Sequence, residues 1–178
     1  MLGRKLARGL KSAIYALQDM PSETVIGSLM RRGRVSLSVA ESCTAGLLAK
    51  RLTDAAGSSR YFIGGIIAYA NRVKHDFLSV TSRVLERHGA VSRQVALQMA
   101  RDVRLRFKSH LGVSITGIAG PGGGTRQKPV GLVWIALASK NMSCARRFRL
   151  AGTRERIRFM ATQRALEMLY QRLTSNSR

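Results

Sequence analysis

The chain has 178 residues, 45% of them hydrophobic, and 31 lysines and arginines against nine acids give a formal charge of +22. This length suits one globular domain with a real core. No apolar run approaches the ~20 residues that span a bilayer, so no membrane role is predicted. Two cysteines, Cys43 and Cys144, with no CxxC and no Cys/His cluster, fit a reducing, cytoplasmic setting and argue against structural zinc.

Such a positive field attracts anions: nucleotides, nucleic acid or acidic lipid. The basic residues are dispersed and aromatics are only 6%. A solvated basic surface therefore weighs at least as much as a base-stacking groove.

Taken in order, residues 1–21 form a basic extension with no acid before Asp19. Arg-rich and acid-poor is also how a transit peptide reads. Leu6, Leu10, Ile14 and Leu17 fall on one helical face, so a short helix is expected. The rest, 22–178, is expected to be one domain. A helix is predicted over 22–30, capped by Ser22 and stopped at Gly33. Residues 35–39 alternate like a strand that delivers Ala40-Glu41-Ser42-Cys43-Thr44, and from 45 to 53 the period turns helical. Residues 61–69 are β-rich, with Gly64-Gly65 marking a bulge or close packing.

A short helix follows over 71–78, then a long one over 92–108 capped by Ser92. A strand over 112–118 runs into the glycine-rich loop 117–125. Strands over 131–138, of buried type, and 142–150, an outer strand, precede a final helix capped by Thr153. Interleaved strands and helices predict an α/β fold, a three-layer α/β/α sandwich.

Four constellations are candidates for chemistry, one of them the Gly57-Ser58-Ser59 turn, whose competing reading is serine bonding its own backbone. Ser42, between a strand end and a helix start, is placed to attack a carbonyl while the N–H groups of the turn hold an oxyanion. A plain N-cap is the competing reading, and Cys43 is a rival nucleophile because a helix N-terminus lowers a thiol pKa. Lys74 serves as a base only if its pKa is lowered by desolvation or nearby cations, and Arg72 is such a cation. Otherwise it is a surface lysine. The glycine-rich loop matches neither a Walker A nor a Rossmann fingerprint, but its N–H groups suit a phosphate. Glu41 could equally anchor an arginine. His75, His88 and His110 show no partner that recommends a triad.

These segments together resemble the CinA C-terminal family, the nicotinamide-nucleotide amidohydrolases. The resemblance lies in Ala40-Glu41-Ser42-Cys43-Thr44-Ala45-Gly46, Gly57-Ser58-Ser59-Arg60-Tyr61-Phe62, Tyr69-x-Asn71-x-x-Lys74 and Gly89-Ala90-Val91-Ser92. It continues through Ser114-Ile115-Thr116-Gly117-Ile118-Ala119-Gly120-Pro121-Gly122-Gly123 and Lys128-Pro129-Val130-Gly131, with Arg154 and Arg156 in the closing helix. The motifs run in family order over about residues 22–172.

The resemblance implies an α/β/α sandwich around a mixed β-sheet. It also implies hydrolysis of the carboxamide of nicotinamide mononucleotide, without metal or organic cofactor. Carried over motif by motif, Ser42 is the nucleophile and Lys74 the base, with Tyr69 and Ser59 orienting or relaying the proton. Thr44 to Gly46 supply oxyanion donors, and Thr116, Gly117, Gly120, Gly122 and Arg154 are candidates for substrate contact.

Two departures stand out: Ala45 where the family has glycine, costly if that position needs φ > 0, and Ala70 where it has serine. Many family members carry a preceding molybdopterin-binding-like domain, for which this sequence has no room. Expected partners are a pyridine mononucleotide and, as the base-rate oligomer, a second copy in a homodimer. The alternative function is a catalytically silent module that binds nucleic acid or protein through its basic surface.

Overall fold

The computed structural model describes residues 22–175; the helix expected within residues 1–21 lies outside them. Helix α1 (Ser22–Gly33) turns Ile26 and Met30 inward, one turn apart and both fully buried. Strand β1 (Leu37–Glu41) begins two residues later than the alternation predicts. The reason is that Val35 N–H closes the end of α1 by donating to Met30 O at 2.9 Å, which takes it out of the ladder. All five β1 residues are buried, as befits a central strand covered on both faces.

Helix α2 (Leu47–Asp54) follows, then a 3-10 turn (Ser58–Arg60) and β2 (Phe62–Ile67). The glycine pair in β2 does both things expected of it. The register slips between Phe62 and Gly64, and a Cβ on Gly65 would lie 2.8 Å from Val39 O of the neighbouring strand. Helix α3 (Asn71–Leu78) matches the sequence reading. Helix α4 (Ser82–His88), capped by the Thr81 side chain on Val84 N–H, was not read from sequence. In its seven residues only Val84 and Leu85 are apolar, too few to show a period.

Helix α5 (Arg93–Arg106) is capped by Ser92 as predicted, the Ser92 hydroxyl accepting from Val95 N–H. Then come β3 (Leu111–Gly117), β4 (Leu132–Ala138), β5 (Ser143–Arg149) and the long helix α6 (Arg154–Ser175).

The five strands form one mixed sheet in the order β2-β1-β3-β4-β5. β1 is parallel to both β2 and β3, while β4 is antiparallel to β3 and β5. One face packs against α5, with α3 and α4 beyond it; the other packs against α6, α1 and α2. The main core lies on the α6 side around Leu37, Val39, Val113, Ile135, Ala161 and Leu166. Hydroxyls stitch the opposite layer on: Ser114 Oγ donates to Ala96 O at 2.6 Å and Ser38 Oγ to Val103 O at 3.1 Å. The result is the three-layer α/β/α sandwich around a mixed sheet that the sequence predicts.

The strand order places the site. From β1 the chain goes to β2 on one side and reaches β3 on the other, so the order reverses at β1. In open α/β sheets the crevice at the carboxyl ends flanking such a reversal is where ligands bind. Ser42 follows the last residue of β1, Ala68-Tyr69 follow β2, and the glycine loop follows β3.

One glycine is required by the sandwich itself. Gly131, at φ +87°, enters β4 so close to β5 that a Cβ would sit 1.8 Å from Leu150 O. Gly131→Ala is expected to destabilise the domain by more than ~2 kcal/mol, read as a lowered midpoint in urea unfolding.

Candidate active site

Why the chain turns where it does after β1 follows from Glu41. Its carboxylate is buried at 1% exposure. One oxygen accepts from Gly46 N–H and Leu48 N–H, both at 3.1 Å, and the other from Ala49 N–H at 2.7 Å. An anion at the start of α2 satisfies N–H groups that a helix leaves without partners and meets the positive end of its dipole. Glu41 therefore anchors a helix start, not an arginine. The segment between has to curl back within four residues. Ala45 takes φ +49° and Gly46 φ +93°, with Ala45 N–H donating to Ser42 O at 3.1 Å. Ser42 is pinned from the other side by its own N–H on Ile115 O of β3 at 2.9 Å. Ser42 is thus a strand-end residue held on a tight turn, not the N-cap of α2, whose cap position is Gly46.

Of the three expected oxyanion donors, Ala45 N–H and Gly46 N–H are engaged inside the turn; Thr44 N–H donates to no acceptor among the described residues. Thr44 is buried, and its carbonyl accepts from Leu47 N–H and from Arg158. Cys43 is removed as a rival nucleophile. Its side chain lies in the main core, and burial pushes the thiol up to about 12, overriding the helix-end effect that sequence alone suggested.

Lys74 is 1% exposed. Its Nζ donates to Ala68 O at 2.7 Å and Tyr69 O at 3.1 Å, the carbonyls that end β2. Ala68 N–H in turn donates to Glu41 O at 2.7 Å, so the lysine head is tied to the residue preceding Ser42 through one shared residue, Ala68. Burial lowers the Lys74 pKa from 10.5 to about 8, with the Cys43 side chain pulling weakly the other way. Desolvation, not the exposed Arg72, is the cause. Ser42 Oγ and Lys74 Nζ are not hydrogen-bonded to each other. Catalytic contacts of this kind are often loose without substrate.

Arg154 joins two further parts. It donates to Gly120 O at 2.6 Å and to Tyr69 Oη at 2.8 Å, bridging the glycine loop and the β2 exit. Within the loop Gly120 has φ +79°. Gly122 faces open space, with nothing within 4 Å of where its Cβ would stand, so backbone here is reachable by a ligand. Arg158, one helical turn after Arg154, donates to Thr44 O at 2.8 Å. Sequence reasoning missed it. The available signal was its i, i+4 spacing from Arg154, which puts both on one helix face. Arg156, singled out instead, is exposed.

Three expected participants lie elsewhere. Thr116 is fully buried, and its hydroxyl donates to Ala90 O at 2.9 Å, bracing the Gly89–Ser92 turn against β3; it presents nothing to a substrate. Gly117 is a packing residue, where a Cβ would meet Leu132 O at 2.8 Å. Ser59 is exposed in the 3-10 turn before β2, whereas Ser42 follows β1. Because β1 and β2 are parallel, the two serines sit at opposite ends of the sheet, about 20 Å apart along a six-residue strand. A depression of about 340 Å³ also lies away from Ser42, between α3 and α4, among Arg72, His75, Asp76 and Glu86.

Comparison with known proteins agrees with this architecture. The family model described as the CinA C-terminal domain matches residues 19–173. A CinA-like protein of Koribacter versatilis is 46% identical over 172 residues, covering 97% of this chain and 42% of that protein. The chain thus spans about two fifths of the length of the curated relatives it matches. Among solved structures, competence/damage inducible protein CihA from Agrobacterium tumefaciens is 39% identical with a TM-score of 0.81, covering 87% of this chain and 97% of that one. A CinA superfamily protein from Escherichia coli is 32% identical at TM-score 0.81, covering 84% and 87% respectively.

The strained residue in the turn gives a test. Ala45 holds a left-handed conformation that costs a residue with a Cβ about 1 kcal/mol. Ala45→Gly should raise the thermal midpoint by about 2–4 °C; calorimetry of the two proteins measures it.

Proposed function

Because the chain belongs to the CinA C-terminal domain family, we propose that it hydrolyses the carboxamide of nicotinamide mononucleotide to nicotinate mononucleotide and ammonia. Ser42 is the nucleophile and Lys74 the base. The observation that carries this reading is the buried amine of Lys74, held by two carbonyls one peptide away from the Ser42 turn, with its pKa lowered to about 8. An ordinary lysine is almost wholly protonated at neutral pH. At a pKa near 8, roughly a tenth is free amine at pH 7, enough to serve as a general base.

Neutral Lys74 takes the proton of Ser42 Oγ as the Oγ–C bond forms on the carboxamide carbon. Thr44 N–H, which donates to no acceptor among the described residues, is the donor this turn offers the resulting oxyanion. Collapse breaks the C–N bond, and the Lys74 ammonium returns its proton to the leaving nitrogen, releasing ammonia. Water then hydrolyses the acyl-serine: Lys74 accepts its proton as the water oxygen bonds to the acyl carbon, and returns it to Ser42 Oγ as the ester C–O bond breaks. Arg154 and the glycine loop at the same sheet edge suit the substrate phosphate, and the +22 field favours approach of a mononucleotide anion.

The reading is tested by ammonia and nicotinate mononucleotide release. Ser42→Ala and Lys74→Ala should each lower kcat by about 10³-fold or more. Undiminished turnover in either variant would refute the assignment, and a folded but inactive wild type would favour the binding-module alternative. With Lys74 as the base, kcat/KM should climb with pH and level off above about 8.

The same burial has a consequence for stability. Lys74 holds its proton less tightly folded than unfolded, so the unfolded chain binds more protons between about pH 8 and 10.5, and stability rises with pH across that window. Lys74→Met should flatten that rise and lift the midpoint at pH 7 by about 2–4 °C while abolishing turnover. Thermal melts at pH 7 and pH 10 measure both effects.

A further inference from the structure

The arginines are dispersed in sequence, but strand pairing gathers five of them on one face. The sheet ends at β5. Side chains alternate along a strand. Arg146 turns to Gln171 of α6, so Ser143, Ala145, Arg147 and Arg149 stand on the opposite side, towards α5. Helix α5 packs against β5, and Arg101 reaches across to it, Nε donating to Ser143 Oγ at 3.0 Å. Arg93, Leu97, Arg101 and Arg104 recur at helical spacing and form one stripe along α5. Leu97 anchors that stripe: it is buried with Ala136 and Ala138, and Trp134 and Ala145 pack against them.

Hydrogen bonds fix how the two rows line up. Thr116 Oγ1 reaches Ala90 O just before α5, Thr116 pairs with Trp134, and Trp134 pairs with Arg147. Arg147 is therefore level with Arg93, as Ser143 is with Arg101. The half-buried Trp134 lies at the Arg93–Arg147 end. These charges are left unneutralised. Asp102, the one acid of α5, pairs with Arg106, and residues 132–149 contain no acid. None of the five arginines of this face forms an ion pair among the described residues.

We propose that the α5–β5 face binds single-stranded nucleic acid, its phosphates along the two arginine rows and a base stacked at Trp134. Three features select this ligand. Arg147 and Arg149 stand about 6.8 Å apart along β5, and Arg93 and Arg101 about 12 Å apart along α5. Charges spread along a line in this way match a polymer, whereas a mononucleotide would meet no more than two. Trp134 is the single tryptophan of the sequence, and an aromatic ring in a basic groove is a platform for a base. An acidic peptide or a lipid headgroup has no use for one. Finally, α5 lies flat on the sheet through Val95, Met99 and Val103, so it does not protrude to enter the groove of a duplex. The face is also separate from the Ser42 turn, since β5 lies three strand positions from β1.

Trp134 reports on its own site. The full chain is titrated at about 50 mM salt with oligo(dT) or oligo(rU) of about 12 nucleotides, a length suited to one single-strand site. Indole fluorescence should fall on binding. Log Kd should rise with log salt at a slope of about 3, for four or five phosphates held. Absence of binding, or binding indifferent to salt, would overturn the proposal. So would tighter binding of a dT·dA duplex of the same length.

Arg147→Gln/Arg149→Gln should weaken binding about tenfold and lower the salt slope by about 1.4. Arg32→Gln/Arg83→Gln removes the same charge from exposed positions on α1 and α4 and should change Kd by no more than about twofold. Equal losses from the two pairs would mean that the overall field alone holds the strand, and would overturn the site. An abasic strand of the same length should bind about tenfold more weakly and leave the indole signal unchanged. Equal affinity would overturn the stacking and leave a surface for any polyanion. With a labelled strand followed by anisotropy, Trp134→Leu should cost about tenfold and Trp134→Phe should restore most of it. The arginine variants keep the test decisive even if Trp134→Leu fails to fold. No readout here involves turnover, so the amidase reading stands or falls separately.

Discussion

One buried carboxylate organises the turn that follows the central strand of this domain. Glu41 is the last residue of the central strand, and its two oxygens hold three N–H groups at the start of α2. A carboxylate at 1% exposure is tolerable only when its hydrogen bonds are satisfied. Satisfying it with N–H groups 5 to 8 residues further on forces the intervening chain into a tight loop. That loop sets the left-handed Ala45 and Gly46, holds Ser42 at the strand end and leaves Thr44 N–H without an acceptor among the described residues. Ser42 is thus positioned by the residue next to it rather than by any partner of its own side chain.

The lysine depends on the same carboxylate residue through its main chain. Glu41 O accepts from Ala68 N–H, and Ala68 O accepts from Lys74. The β2 exit is therefore a shared wall between the Ser42 turn and Lys74. Burial supplies the chemistry: it disfavours the ammonium and moves its pKa towards neutrality, while two carbonyls keep the amine in place. Under the proposed function, the fold keeps this amine in its interior because a lysine base requires desolvation, and activity and stability are then set against each other at Lys74.

With only nine acids, where they sit matters. Glu41 fixes the site. Glu23 pairs with Arg51, which is buried and also donates to Thr162 Oγ1 at 2.8 Å and Gln163 Oε1 at 2.9 Å, and stacks over Phe159. That cluster joins α1, α2 and α6 on one face of the sheet and orients the helix that carries Arg154 and Arg158. Most of the basic residues are left on the surface, where they add to the field that draws anions. β2 stands out against that field as its uncharged edge.

The sequence by itself determined the order and kind of most elements, because apolar periods of 2 and 3.6 are local properties: the helix over 71–78, the Ser92 cap and the buried β4 strand were all legible. It also marked Ser42, Lys74 and the glycine loop as candidates, because small and polar residues at strand ends are visible as types, while Tyr69 entered through the motif resemblance. What it left undecided depends on through-space surroundings. Whether Cys43 is a thiolate or Lys74 a base is decided by burial among side chains far away in sequence. Whether Glu41 meets an arginine or a helix start is decided by how α2 docks. Thr116 has the residue type of a ligand contact, yet pairing of β3 with its neighbours directs it inward. Ser59 reads as part of one motif set with Ser42, yet the parallel register of β1 and β2 puts them at opposite ends of the sheet. A linear chain carries no record of strand order, and strand order is what turns spacing into distance.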